Sequence, residues 1–305
     1  MLNESAAPAP LIEFEAEDIE VMEDDEEAEI PPERIFAPRW FLNGFPKAGT
    51  HLLVSMMNAH ANPMPSMQFQ PKEWLGTFHF NSWSDKWADI RKVAYSFGHL
   101  RPGYFYKGHC GHRADLETFM WFLGVAHVMI YRDFRDVAVS QTHHILSERG
   151  EWKHQDKDAY RELGGFDEAL AAVIAGLQTE RCYYPGVMER WALYAPWLDV
   201  AWVLNISYEE GRTDPVAVAK RLIEYGLWRL CDIFEVEMIE PGEGFEEMAQ
   251  AMAEASQDTE HSPTFRRGVV GGWREAFTDK HKRLFKESDK QNWLVRLGYE
   301  SSADW

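Results

Sequence analysis

From Trp40 onward the chain alternates between two hydrophobic periods. Trp40-Phe41-Leu42 is a short apolar run closed by Asn43-Gly44, and Leu53, Met56 and Met57 then recur at helical spacing within Thr50 to His60. This predicts a strand, a tight loop and a helix. The alternation repeats downstream. Tyr104-Phe105-Tyr106 reads as a strand leading into Lys107-Gly108-His109, Asp115 to Leu123 as a helix, Ala126 to Tyr131 as a buried strand, and Phe134 to about Leu146 as a helix. Trp191 to Leu198 is a further predicted helix, Val200 to Ile206 a strand, and Pro215 to Tyr225 a helix with proline in its first turn. Strands separated by helices imply an α/β fold of three layers, P-loop-like, with a central parallel sheet flanked by helices and ligands at the carboxyl ends of the strands. No repeat of 20–50 residues is present.

Charge divides the chain. Residues 1–30 carry twelve carboxylates and no Lys or Arg. Residues 1–35 therefore read as a mobile acidic arm ending near Pro31-Pro32, and 36–305 as a single α/β domain. The formal net charge of -19 falls to -7 without the twelve carboxylates. A second acidic segment, 232–260, holds ten carboxylates and no base, and reads as a solvated helix face around Phe245 to Met252 with loops. Without it the remainder is +3, a slightly basic core. That balance argues against a nucleic-acid partner, which needs a basic stripe, but is compatible with an anionic nucleotide. Three cysteines without C-x-x-C spacing give neither a disulfide framework nor a zinc site. The longest apolar stretch, Phe119 to Tyr131, has 13 residues, short of the roughly 20 of a membrane span. With no signal-peptide pattern, a cytoplasmic location is expected.

Three segments carry the chemistry. Gly44-Phe45-Pro46-Lys47-Ala48-Gly49-Thr50 keeps the glycine spacing of a Walker A loop, but Thr50 follows Gly49 directly and the lysine has moved inside. Backbone amides at a helix start plus one ammonium still make an anion cradle. Arg132-Asp133-Phe134-Arg135-Asp136-Val137-Ala138-Val139-Ser140 places Arg132 at a strand end and Ser140 two turns into a helix, a guanidinium and a hydroxyl able to clamp one phosphate. Phe265-Arg266-Arg267-Gly268-Val269-Val270-Gly271-Gly272-Trp273 joins two guanidinium groups to a glycine-rich loop.

In order and spacing these segments resemble the cytosolic-type sulfotransferases, over roughly Trp40 to Lys286. The resemblance implies transfer of a sulfuryl group from 3′-phosphoadenosine 5′-phosphosulfate (PAPS) to a hydroxyl or amine of a small-molecule or carbohydrate-like acceptor, with no metal. The first segment is similar to the family's 5′-phosphosulfate loop, which implies that Lys47, Ala48, Gly49, Thr50 and His51 surround the 5′-phosphate. The second implies Arg132 and Ser140 on the 3′-phosphate, and the third adds Arg266, Arg267 and Gly268 there. Ser207-Tyr208-Glu209-Glu210 resembles a segment that places Tyr208 near the adenine, and Gly244-Phe245-Glu246-Glu247-Met248 one that supplies a stacking aromatic, Phe245. Tyr106-Lys107-Gly108-His109 is similar to the family's K-T-H, which makes His109 the base, with Lys107 assisting Lys47 at the leaving group.

The chain also departs from the family. Ala48 stands at the usual serine, and His51-Leu52 at a threonine and an adenine-stacking tryptophan. Arg274 to Arg283 matches the family's dimer motif poorly, with Asp279 at its valine and Arg283 at its glutamate, so oligomeric state is not legible. Trp74, Phe78, Phe80, Trp83 and Trp87 can line an apolar acceptor pocket or simply pack a core. Two alternatives stay open: a non-catalytic sulfotransferase-like binding protein whose acidic arm docks on a basic partner, and a P-loop nucleotide kinase, against which the absent Gly-Lys-Thr speaks.

Overall fold

The computed structural model of the protein describes residues 38–59, 78–80 (as backbone), 97–100, 102–147, 156–180, 182–238, 242, 244–257 and 268–305. The acidic arm, Trp74, Trp83, Trp87, Arg266 and Arg267 lie outside the described residues.

Five strands form one parallel sheet: β1 (Arg39–Gly44), β2 (Phe78–Phe80), β3 (Phe105–Cys110), β4 (Val125–Tyr131) and β7 (Leu204–Ser207), in the order β2-β3-β1-β4-β7. A separate antiparallel pair joins β5 (Gly176–Gln178) and β6 (Tyr183–Pro185). Because side chains alternate across a strand, each central strand feeds two cores. Trp40, Leu42, Phe105, Ala126, Val128 and Ile130 face one side, where they meet α1 (Thr50–Asn58), α8 (Pro215–Phe234) and α9 (Phe245–Gln257). Phe41, Tyr106, Cys110, Val125 and Met129 face the other, against α2 (Ala114–Phe122), α3 (Phe134–Leu146), α5 (Phe166–Ala175) and α6 (Val187–Trp191). The three-layer α/β architecture expected from the alternation is the one observed.

Chain order places the site. β1 lies in the middle, the chain adds β2 and β3 on one side of it, and then crosses over to add β4 and β7 on the other. The helices that follow β1 and β4 consequently pack on opposite faces, α1 on one and α3 on the other. Two helix starts diverging from neighbouring strand ends leave a crevice between them, the position where open α/β sheets bind ligands.

Three predicted boundaries are corrected. The helix expected over Trp191 to Leu198 is broken: α6 ends at Trp191, and after a turn at 192–194 a 3₁₀ segment runs over Ala195–Asp199, with Pro196 in its first turn. The strand expected from Val200 begins only at Leu204, because residues 200–203 form a turn closed by Val203 N–H to Val200 O at 3.0 Å. Its apolar residues still serve the core, with Trp202 packed on Trp121 and His127. The helix expected to stop at Tyr225 continues to Phe234. Gly226, inside this helix, is a point of close approach, where a Cβ would lie 2.7 Å from the Trp40 indole.

The acidic stretch contains the helix expected there. α9 buries Ala249, Met252 and Ala253 and exposes Glu246 and Glu247. Cys110, Cys182 and Cys231 are buried thiols, and no helix among the described residues is long and apolar enough to cross a membrane.

Candidate active site

The loop after β1 is built on an uncapped helix. Lys47 adopts φ 71° and Gly49 φ 103°, and these two left-handed residues turn the chain from the strand into α1. Gly49 has a second constraint, since a Cβ there would lie 2.4 Å from the Tyr208 ring. Its position as N-cap provides no side-chain acceptor, and the first turn of α1 holds no acidic residue. The opening amides and positive dipole end of α1 are therefore neither capped nor neutralised from within the helix. Thr50 is buried and its Oγ1 has no hydrogen-bond partner.

Arg132 enters from the end of β4. Its guanidinium donates to Asp136 Oδ2 at 3.3 Å and to Val269 O at 2.7 Å, and lies 4.3 Å above the Tyr208 ring, while Nε is buried without a partner. Asp136 ties the glycine-rich carboxyl-terminal segment to the same place. Its Oδ2 accepts from Gly271 N–H at 2.7 Å and its Oδ1 from Trp273 N–H at 2.8 Å. The chain that passes Gly268 is thus anchored beside Arg132 by a carboxylate that sequence inspection had not singled out. Ser140 lies in α3, behind the helix start capped by Asp133.

Electrostatics agree with this geometry. Burial lowers the Lys47 ammonium to about 8, and the nearby Arg132 charge adds to the effect. His51 is lowered to about 4, mainly by burial, then by the charges of Lys107 and Lys47, so its imidazole is neutral at physiological pH. Two lysines, a neutral imidazole and Arg132 thus converge around an uncapped helix start, with orphaned buried donors at Thr50 and Arg132. A site with this surplus of donors fits a multiply charged anion.

His109 is joined to the loop directly. Its Nδ1 lies 2.7 Å from Gly44 O, at the end of β1. A carbonyl can only accept, so Nδ1 carries the proton and Nε2 is the basic nitrogen. Asn43 makes this contact possible. Buried between β1 and β3, it donates through Nδ2 to Cys110 O at 3.0 Å and accepts through Oδ1 from Cys110 N–H at 2.8 Å and Gly44 N–H at 2.9 Å. Tyr194 Oη donates to His109 O at 3.1 Å from the turn that breaks the expected helix. Asn43 was visible as the polar residue ending an apolar run; Tyr194 had no such signal.

The remaining predicted residues are placed as follows. Ala48 is buried in the loop, and Lys107 is half-buried in β3, two residues before His109. Tyr208 begins α7 (Tyr208–Thr213), whose start is fixed by a capping box between Ser207 and Glu210, and its ring is wedged between Gly49 and Arg132. Leu52 packs against Gly211, where a Cβ would stand 3.0 Å from Leu52 Cδ2. Phe245 opens α9, half-buried, with Lys220 Nζ 5.8 Å from its ring. The backbone of Phe78–Phe80 runs beside β3, with His79 paired to His109. Among the described residues no three His, Cys, Asp or Glu side chains group closely enough to hold a metal ion.

Residues 37–293 match the family described as the sulfotransferase domain. The chain belongs to that family, and is a sulfotransferase. Among solved structures it is similar to mouse sulfotransferase SULT7A1 complexed with PAP, at 17% identity and TM-score 0.50, covering 86% of this chain and 87% of that one. It also matches retinol dehydratase in a complex with retinol and PAP, at 16% identity and TM-score 0.45, over 84% and 82% of the two chains. Comparison with curated proteins finds no match.

Proposed function

We propose that this protein transfers the sulfuryl group of PAPS to a hydroxyl or amine of a small-molecule acceptor, with His109 as general base and Lys47 as the principal charge-stabilising group. The observation that carries this reading is the 2.7 Å contact between His109 Nδ1 and Gly44 O, which ties a proton acceptor of defined tautomer to the anion-binding loop. SULT7A1, similar in fold, was crystallised with PAP, the product that PAPS would leave.

When bound, PAPS supplies an activated sulfuryl group whose leaving group is a phosphate oxygen. In this reading Lys47, Ala48, Gly49, Thr50 and His51 would hold its 5′-phosphate, and Arg132, Ser140 and Gly268 its 3′-phosphate, to which the sequence resemblance adds Arg266 and Arg267. Tyr208 and Phe245 are the aromatic candidates for the purine. His109 Nε2 takes the acceptor proton as the acceptor oxygen or nitrogen bonds to sulfur and the bond from sulfur to the leaving oxygen breaks. The electron pair stays on that oxygen, where Lys47, the opening amides of α1 and Lys107 stabilise it. The Gly44 carbonyl, held against Nδ1–H, favours the imidazolium that His109 becomes. Neutral His51 can donate or accept without adding repulsion between the two lysines.

Thermal denaturation tests the donor assignment. PAP at about 100 times its Kd should stabilise the protein by about 2.7 kcal/mol, whereas AMP and ATP at the same concentration should do little. Arg132→Ala should remove that difference. Equal stabilisation by ATP would favour the nucleotide-kinase alternative.

A further inference from the structure

Three side chains from residues 299–305 converge on the segment that carries Arg132, and none of them belongs to a motif. They start from a fixed platform. α11 (Asp279–Ser288) is tied to α5 by His281, whose Nε2 donates to Asp167 O at 2.9 Å, and α5 also packs against α4 (Lys157–Arg161). At the start of α12 (Trp293–Arg296), Asp289 accepts from Trp293 N–H at 2.8 Å and from Leu294 N–H at 3.2 Å. The amides of Tyr299 and Glu300 then both donate to Leu294 O, at 2.8 and 3.1 Å.

Two carboxylate bridges lead from this backbone to the peptide after Arg132. Tyr299 Oη donates to Glu209 Oε2 at 2.8 Å, and Glu209 Oε1 accepts from Asp133 N–H at 3.1 Å. Burial pushes the Glu209 carboxyl up, while the Asp133 amide, the Tyr299 hydroxyl and the Arg132 charge favour its ionised form. In the second bridge Glu300 Oε1 accepts from Arg135 Nη1, and Arg135 is held in turn by Asp133, through Nε to Oδ1 at 2.9 Å and Nη2 to Oδ2 at 2.7 Å. Trp305 adds an aromatic face. The Arg135 guanidinium, 1% exposed, lies 3.8 Å from the Trp273 ring centroid and 4.5 Å from that of Trp305, two rings set edge to face. Trp273 is the residue whose amide Asp136 holds in the glycine-rich segment.

Charge balance alone does not call for these partners. Asp133 already neutralises Arg135, so Glu300 and Trp305 add position rather than charge. Arg132 needs such support, because its guanidinium is held by one long contact to Asp136, at 3.3 Å, and one carbonyl, and its Nε has no partner. Its aim therefore depends on the backbone at 132–133 and on the glycine-rich wall at Val269. We infer that Tyr299 and Trp305 are positioning residues for the 3′-phosphate end of the donor site: Tyr299 acts through Glu209 on the peptide that follows Arg132, and Trp305 through Arg135 and Trp273 on the glycine-rich segment. The inference rests on the sulfuryl-transfer reading, in which Arg132 holds the 3′-phosphate. A guanidinium displaced by a fraction of an ångström loses a charge-assisted contact, whereas the loop after β1 is left as it was. The loss should fall on PAP and spare AMP, which has no 3′-phosphate.

The test is calorimetric binding of PAP and AMP to the full chain, with Arg132→Ala marking the preference that remains without the guanidinium. Tyr299→Phe should weaken PAP binding about tenfold and change AMP binding less than about twofold, moving the preference toward that of Arg132→Ala. Trp305→Ala should narrow the preference severalfold, and Trp305→Phe, which keeps an aromatic face on Arg135, should restore it to within about twofold of wild type. An equal loss of PAP and AMP binding in a variant assigns that residue to general stability and overturns its positioning role. So does a preference unchanged from wild type. If Trp305→Ala does not fold, Tyr299→Phe alone decides. Failure of the sulfuryl-transfer reading looks different: wild type itself would then bind PAP no better than AMP, and the inference would fall with it.

Discussion

Replacing Asn43 with leucine should disturb the fold and the geometry of the base together. The side chain is 0% exposed and makes three hydrogen bonds, all to backbone at the carboxyl ends of β1 and β3. Leucine is close in volume, so the dominant loss is polar. The Cys110 carbonyl keeps a donor, the Trp197 indole at 3.0 Å, but the Gly44 and Cys110 amides lose their acceptor. Each buried orphan costs about 1–3 kcal/mol, so Asn43→Leu should lower stability by about 2–6 kcal/mol, a large part of the 5–15 kcal/mol typical of a domain. Urea denaturation followed by tryptophan fluorescence measures it. The same change releases the Gly44 carbonyl that orients His109, so kcat should fall at least tenfold in whatever protein remains folded. A stability loss below about 1 kcal/mol, or unchanged kcat, would refute the claim that Asn43 sets the geometry of the base.

Two further outcomes follow from the loop. The Lys47 ammonium titrates near 8 in the unliganded protein and is raised when an anion binds, so binding takes up a proton above pH 8 and PAP affinity should fall by up to tenfold per pH unit there. Calorimetry from pH 7 to 9.5 in buffers of different ionisation enthalpy checks this, and a flat affinity would contradict it. Gly49→Ala meets both a positive φ and the Tyr208 ring, and should cost about 2–4 kcal/mol by chemical denaturation while weakening PAP binding more than tenfold. A variant as stable as wild type would show that the loop can shift without loss.

The parts of the fold that were legible in the sequence are those that local physics decides. Parallel strands buried on both faces must be continuous apolar runs, which made β1 and β4 readable, and the glycines at 44 and 49 marked a turn that other residues would strain. The misreadings came where tertiary packing uses an apolar residue for something other than a regular element. Val200 to Val203 serve the core from a turn, Tyr194 reaches His109 from a helix break, and Gly226 sits inside a helix because Trp40 occupies the space its side chain would need. In the site, the motifs suggested which residues face an anion, whereas the contacts that tie distant segments together were not legible, even for a residue inside a motif. Asp136 gathers the Gly271 and Trp273 amides from 135 and 137 residues away, and Tyr299 reaches Glu209 from 90 residues away. Such roles depend on sequence separations that no local pattern records.

His109, tied to the loop after β1 through Gly44, is proposed here as the base for sulfuryl transfer from PAPS. Its most direct test is transfer of labelled sulfate from PAPS to a panel of alcohols, phenols, amines and sugars, by wild type and His109→Asn, with PAP affinity measured in parallel. In His109→Asn transfer should fall by about 10²–10⁴-fold while PAP affinity stays within about threefold, the pattern of a lost proton acceptor beside an intact anion site. Undiminished transfer by His109→Asn, or no His109-dependent transfer to any member of the panel, would contradict it.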